Sequence, residues 1–278
     1  MVSCPLQLTT DYGSLTYLRS YVDLRDKVIV ITGASSGFGE SIARRCVAAG
    51  ARVVLAARSA EALERLAHSL GDERALAVPT DVTSDTDVAR LAAATLERFG
   101  RADVLVNNAG FGVFDRLADA RIADLQEMTE VNLYGVVRCT QAFLPHMLAR
   151  RSGQIVIMSS LAGLIATSNM GFYNTSKFAL VGLGRTLMLE LAGTGVYCAL
   201  ICPNVALTGF QQRADIQKYS RISRLLGWVT SDQVAQATVR AITRRTHGEV
   251  LVPRRATPLA AIGAAFPSLS RVVLRLIR

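Results

Sequence analysis

Three side chains in the stretch "SSLAGLIATSNMGFYNTSK" have the types needed to move a proton: Ser160, Tyr173 and Lys177. Tyr173 and Lys177 are four residues apart in a helical pattern, so both lie on one face. A free tyrosine, with a pKa of about 10, is a poor acid or base near neutrality. A lysine cation on the same face favours the phenolate and lowers that value. General acid–base catalysis requires such tuning. Ser160 follows an apolar run and is placed to hold and polarise a carbonyl oxygen. Its neighbour Ser159 is expected to pack into the strand end.

A second stretch, "VIVITGASSGFGE" at Val28–Glu40, fits two unrelated chemistries. Gly33-Ala34-Ser35-Ser36-Gly37 matches the G-x-S-x-G elbow that presents a serine nucleophile. Gly33, Gly37 and Gly39 equally fit a turn that brings backbone N–H groups to a phosphate at a helix N-terminus. A hydrolase needs an acid and then a histidine after Ser35. His146 and His247 are available, neither in a distinctive context. The extra Gly39 fits the phosphate turn, and these residues alone leave both chemistries open.

These residues must be positioned by alternating strands and helices. Apolar β-rich runs are expected as strands at Lys27–Thr32, Arg52–Ala56, Ala75–Pro79, Val104–Val106, Gln154–Ser159, Val196–Ile201 and Glu249–Val252. Helical periodicity occupies Gly39–Ala49, Glu61–Leu70, Asp85–Phe99, Ile122–Leu148, Phe172–Leu191 and Asp232–Thr243. Such alternation implies right-handed βαβ units. The fold class predicted is α/β: a single Rossmann-like, doubly wound domain with a mainly parallel seven-stranded sheet flanked by helices. Residues 1–26 read as an N-terminal extension, 27–252 as the domain with a lid at about 208–228, and 253–278 as a basic amphipathic tail.

The ordered set "TGASSGFG", "NNAG" at Asn107–Gly110, "VN" at Val131–Asn132, and Ser160 thirteen residues before "YNTSK" resembles the short-chain dehydrogenase/reductase family, in its NADP-preferring branch. The resemblance runs from about Lys27 to Val252. It implies an NAD(P)-dependent oxidoreductase that interconverts a carbonyl and an alcohol, with Asn132, Ser160, Tyr173 and Lys177 catalytic. Tyr173 passes the proton, Lys177 also holds the nicotinamide ribose, and Asn132 anchors a water-linked relay. It places the cofactor against Gly33, Ser35, Ser36, Gly37, Phe38 and Gly39, against Asn108, Ala109 and Gly110, and against Asp81 and Val82 at the adenine. Asp81 also suits an N-terminal cap for the helix after it. Pro203 and Thr208 keep the family's places after the sixth strand, whereas Asn204 stands where the family has glycine. Asn tolerates positive φ, so the turn is expected to survive.

NADP(H) is favoured over NAD(H). A site for NAD puts an acid at the end of the second strand, to bind the ribose 2′-OH. Here "VVLAARS" has Ala56 and Ala57, then Arg58, which can meet a 2′-phosphate. The competing reading pairs Arg58 with Glu61 on the next helix. The basic residue that many NADP enzymes of the family carry before Gly37 is Ser36 here.

The chain of 278 residues carries a net charge of +9, and five of the excess arginines lie in the acid-free tail from Pro253 onward. That tail lacks interleaved aromatics, so no nucleic-acid partner is expected. It suits peripheral contact with an anionic membrane, the substrate pocket or a partner subunit. Gly182, Gly184 and Gly193, with the Ile122–Leu148 helix, fit either a homodimer or homotetramer interface or intrachain packing. Five scattered cysteines and three histidines offer no metal spacing, and reduced thiols in a cytoplasmic protein are expected. The apolar lid suits lipophilic ketones or aldehydes: steroid-, retinoid- or acyl-chain-like compounds. A non-catalytic NADP(H)-binding sensor or scaffold is the alternative, and a serine hydrolase using Ser35 a more distant one.

Overall fold

The computed structural model describes residues 21–205 and 228–258. Seven strands form one sheet: β1 Val28–Thr32, β2 Arg52–Ala57, β3 Ala75–Pro79, β4 Val104–Asn107, β5 Gly153–Met158, β6 Val196–Pro203 and β7 Gly248–Val252. All neighbours pair in parallel, in the order β3-β2-β1-β4-β5-β6-β7. The direction of winding reverses between β1 and β4, and the crevice at that point is where such sheets bind ligands.

Helices cover both faces, and the period of two along each strand divides the core between them. Val28, Val30, Leu105, Ile155 and Ile157 pack toward α3 (Asp85–Phe99), α5 (Gly135–Ala149) and α6 (Gly171–Glu190). Ile29, Ile31, Val53, Leu55 and Val156 pack toward α1 (Gly37–Ala48), α2 (Ala60–Leu70) and the helix Ser231–Thr243, here α7. Local chemistry sets the helix ends. Ser59, Ser84 and Thr230 cap α2, α3 and α7 by accepting a backbone N–H of the first turn. Gly100 takes the left-handed conformation that ends α3 (φ 73°).

The expected helix over Ile122–Leu148 is three pieces. Helix α4 (Ile122–Thr129) passes into a π-helical turn at Glu130–Tyr134 before α5 begins. The wider turn inserts one residue into the helical repeat and lies where Asn132 is needed, as π-bulges often do at functional sites. Burial pushes the thiols of Cys46, Cys139, Cys198 and Cys202 up to about 12. Among the described residues no helix is long and apolar enough to cross a membrane.

At the amino ends of the strands, opposite the crevice, Asp103 joins three elements. Its carboxylate accepts the Val28 N–H at 2.9 Å, Arg101 Nε at 3.0 Å and an Arg150 N–H at 2.9 Å. These bonds hold the starts of β1 and β4 to the end of α5. Asp103→Ala leaves a buried N–H without its acceptor and two arginines without their carboxylate partner, and should cost about 2–3 kcal/mol in urea unfolding. Asp103→Asn, which keeps one acceptor, should cost less than half of that.

Candidate active site

A cavity of about 650 Å³ opens at the carboxyl ends of the strands. The turn after β1 forms its floor. Gly33 and Gly37 have positive φ (64° and 60°), and a Cβ on Gly33 would come within 2.8 Å of Ala109 Cα. A Cβ on Gly39 would collide with the Gly33 carbonyl. Only glycines allow this turn to lie so close beneath the cavity. Ser36, at the N-cap of α1, makes no side-chain capping bond. The first N–H groups of α1 are therefore left for a ligand at the positive end of its dipole. Ser35, Ser36, Gly37 and Phe38 line the cavity, while Gly39 is buried beneath it.

Two polar side chains tie this turn to the loop after β4. Thr32 Oγ1 accepts the N–H groups of Asn108 and Ala109, each at 3.0 Å. The Asn108 amide returns the contact, donating to the Thr32 and Gly33 carbonyls at 2.9 and 3.1 Å. Asn108, Ala109 and Gly110 line the cavity, with both amide donors of Asn108 engaged within the protein.

Asn132 is fully buried in the π-helical turn and braces the reaction side. Its Oδ1 accepts the Phe111 N–H at 3.0 Å; its Nδ2 donates to the Phe111 carbonyl at 2.9 Å and to Ser176 Oγ at 3.2 Å. Ser176 in turn donates to the Tyr173 carbonyl at 2.9 Å. The loop after β4, the π-turn and α6 are thereby fixed to one another at the residue that bears the phenol. Lys177 is 5% exposed, donates to the Met158 carbonyl at 3.1 Å, and its Nζ lies 5.7 Å from the Tyr173 ring centroid. Burial pulls its pKa down to about 8, with the Cys202 sulfur acting weakly the other way. Ser160 caps a single 3₁₀ turn (Leu161–Gly163), accepting the Ala162 N–H and donating toward the Pro203 carbonyl at 3.4 Å. Ser159 is buried and donates to the Lys177 carbonyl, as its place at the strand end suggests.

At the far end of the cavity the expected alternatives resolve. Glu61 pairs with Arg65, and among the described residues Arg58 makes no ion pair. Arg58 is exposed and lines the cavity. Asp81 is not the cap of α3; Ser84 is, because the loop runs three residues further before the helix begins. The Asp81 carboxylate instead closes a turn on Thr83, accepting its N–H and its hydroxyl. Asp81, Val82 and Pro203 line the cavity. Asn204 does not have positive φ; its N–H donates to the Val252 carbonyl at 2.7 Å, so it prolongs the β6–β7 ladder. Gly184 serves intrachain packing, since a Cβ there would meet Leu200 at 2.7 Å. Thr208, the lid up to residue 227 and the tail beyond residue 258 lie outside the described residues.

Part of the cavity wall escaped sequence reasoning: Phe111, Phe114, Met170 and Val205 cluster with Tyr173, and Phe114 meets the Tyr173 ring edge to face at 5.2 Å. Trp228, at the end of the expected lid, packs against the same cluster. Ile165 and Thr167 add to the lining from the loop before α6. Their only sequence signal was apolar character in loops flanking the motifs. No histidine lines the cavity among the described residues. His247 is engaged elsewhere, with the Cys198 N–H and the Met188 carbonyl, so Ser35 lacks the base that a hydrolase requires.

Over residues 27–218 the sequence matches the family model described as short chain dehydrogenase. The chain belongs to the short-chain dehydrogenase/reductase family. An uncharacterised oxidoreductase of Staphylococcus aureus strain MW2 is 33% identical over 230 residues, covering 82% of this chain and 95% of that protein. A short-chain dehydrogenase/reductase from Burkholderia phymatum, solved in complex with NAD, superposes with a TM-score of 0.79 at 32% identity, over 89% of this chain and 96% of that one. A 3-ketoacyl-(acyl-carrier-protein) reductase from Brucella melitensis, complexed with NADH, gives 0.77 at 30% identity, over 82% and 97%.

This short-chain dehydrogenase/reductase is therefore an oxidoreductase acting on CH–OH groups with NAD(P). Its own residues fit that cofactor. The Cβ-free floor and the uncapped start of α1 form a cradle for a diphosphate, continuous with the cavity that reaches Tyr173 and Lys177. The lysine bears a cost for its place. Its folded pKa lies below the ordinary 10.5, so between pH 8 and 10.5 the unfolded chain binds the extra proton. The cost to stability is full below pH 8 and fades as pH rises to 10.5. Lys177→Met should raise the melting temperature of the ligand-free protein at pH 7, by a net of about 1 kcal/mol or roughly 2–4 °C. That margin should narrow when melting is followed from pH 8 toward pH 10.5.

Proposed function

We propose that this enzyme reduces lipophilic ketones or aldehydes, or oxidises the corresponding alcohols, with NADP(H) preferred over NAD(H). Steroid-, retinoid- and acyl-chain-like compounds are the substrate classes favoured. The observation that carries the substrate class is the aromatic and aliphatic cluster around Tyr173, which presents apolar surface to whatever binds beside the phenol. The cofactor preference is supported by Arg58 lining the cavity without an ion pair among the described residues, and by Ala57 where an acid would repel a 2′-phosphate. The bound nicotinamide supplies or accepts the hydride. Tyr173 gives its hydroxyl proton to the carbonyl oxygen in reduction and takes it back in oxidation. Ser160 holds that oxygen, and the Lys177 cation favours the phenolate left behind. Asn132 keeps the phenol and the nicotinamide side of the cavity in register.

The test is thermal unfolding with NADPH, NADH and no ligand at matched concentrations, followed by a carbonyl screen. A ligand at a hundredfold excess over its Kd stabilises by about 2.7 kcal/mol. NADPH should shift the melting temperature more than NADH, and Arg58→Leu should remove the difference. A larger shift with NADH would overturn the NADP assignment and leave the family reading intact. Tyr173→Phe should keep the NADPH shift while turnover of any substrate found falls by about a thousandfold or more. Robust residual turnover would refute the tyrosine's role.

We further propose a homodimer or homotetramer through the outer faces of the π-turn, α5 and α6. Tyr134, Leu148, Phe178 and Leu189 stand exposed there, and a Cβ on Gly182 would meet open space. Isologous burial of such a face is the commonest solution for a soluble enzyme. Light scattering should give a multiple of the chain mass, and Phe178→Glu with Leu189→Glu should return the protein to a monomer.

A further inference from the structure

We propose that Asp87, backed by Arg90, is a positioning residue for the nucleotide base: it holds the β3–α3 corner so that Asp81 presents one carboxylate oxygen to an exocyclic amine. The inference rests on the reading of this cavity as a dinucleotide site with Asp81 at the adenine, and adds to it the residue that holds Asp81 in place. The bonds form a closed chain. Asp81 Oδ1 is occupied, accepting the Thr83 N–H at 2.9 Å and the Thr83 hydroxyl at 2.8 Å. The Asp81 N–H donates to Asp87 Oδ2 at 2.9 Å. Asp87 Oδ1 lies 2.8 Å from an Arg90 nitrogen, and the same guanidinium donates to the Pro79 carbonyl at 2.8 Å. The corner between Pro79 and Asp87 is thus anchored at both ends, one turn into α3.

What remains is directional. Asp81 lines the cavity, and its Oδ2 carries no hydrogen bond among the described residues. An acceptor with a fixed orientation and a negative charge discriminates between an amine and a carbonyl oxygen at the same ring position. It binds the first and repels the second. Asp87 is not needed merely to start α3, because Ser84 caps the helix and Asp85 supplies another first-turn acid. The hydrogen bond from the Asp81 N–H is also the leading cause of the lowered Asp87 pKa, so the bond persists in mildly acidic solution.

The experiment compares NADPH, and NADH if that binds better, with the corresponding hypoxanthine analogue, in which oxygen replaces the adenine amine. Affinities are measured by titration calorimetry on the full chain for the wild type and for Asp81→Asn, Asp87→Ala, Asp87→Asn and Asp85→Ala. The wild type should prefer adenine by about tenfold or more, the worth of a hydrogen bond to a charged acceptor. Asp81→Asn and Asp87→Ala should reduce that preference to below about threefold, through weaker binding of the adenine form together with relief of the repulsion felt by the hypoxanthine form. Asp87→Asn keeps an acceptor oxygen and should retain part of the preference, and Asp85→Ala should retain all of it. Equal weakening of both nucleotides by Asp87→Ala, or an intact preference, would reduce Asp87 to a helix-stabilising role and overturn the proposal. A wild type that binds a nucleotide without base preference overturns it too and leaves the cofactor reading standing. A wild type that binds neither nucleotide removes both.

Discussion

Close approach between two backbone turns is the constraint on which the rest of this enzyme depends. The sheet reverses its winding between β1 and β4, so the loops leaving those strands diverge and a crevice opens between them. Left to itself such a crevice would be wide and wet. Here the Thr32 hydroxyl accepts the Asn108 and Ala109 N–H groups, the Asn108 amide donates to the Thr32 and Gly33 carbonyls, and glycine at positions 33 and 39 removes the side chains that would hold the turns apart. The result is a rigid floor whose free N–H groups come from the start of α1. Such a floor fits a phosphate through the fold's topology together with a few missing Cβ atoms, without a cationic side chain at that point.

The reaction side is built on the same plan, with a buried amide as the tie. Asn132 spans the loop after β4 and α6, and the π-helical turn sets it at the depth needed to reach both. A regular helix over the same residues would turn the side chain elsewhere on its surface. Tyr173 and Lys177 inherit their positions from this brace. Lys177 also shows what the arrangement costs, since a cation held 5% exposed with a pKa near 8 opposes folding at neutral pH. Its retention is the stability–activity compromise expected where a buried charge is held beside a phenol.

Much of this was legible in the sequence, for physical reasons. Strands buried on both faces read as continuous apolar runs, and the strands at Val28–Thr32 and Val104–Asn107 emerge within a residue of where those runs stand. Residues four apart on one helix must share a face, so Tyr173 and Lys177 could be joined before any coordinates. The failures have causes of a different kind. The π-turn leaves the apolar periodicity of Ile122–Leu148 nearly undisturbed, so a single helix was the natural expectation. Asp81 resembles a cap because an acid before a helical pattern usually is one, and only the observed loop length assigns that role to Ser84. The apolar wall around Tyr173 draws on the loop after β4, the loop before α6, Val205 and Trp228. Segments that distant in the chain meet only through tertiary packing, and no local pattern announces the meeting.

That division between local and non-local signals also explains where a family shares its chemistry and where its members diverge. The phosphate floor, the Asn132 brace and the Tyr173–Lys177 pair each require particular atoms at particular depths, and each is carried by short motifs inside or beside regular elements. Loops supply the wall of the substrate cavity, and there the requirement is only apolar surface of suitable shape, which many sequences satisfy. Two proteins of this fold at about 30% identity can therefore move a hydride and a proton in the same way and still accept different carbonyl compounds. In this enzyme the ends of the cavity follow the two regimes. Arg58 and Asp81 line the end proposed for the nucleotide, where discrimination by hydrogen bonds and charge is steep because an unmatched polar group is costly. Phe111, Phe114 and Met170 line the other end, where discrimination rests on shape and a methylene more or less changes affinity by modest factors. Specificity for the cofactor should accordingly be sharp and specificity for the carbonyl compound broad.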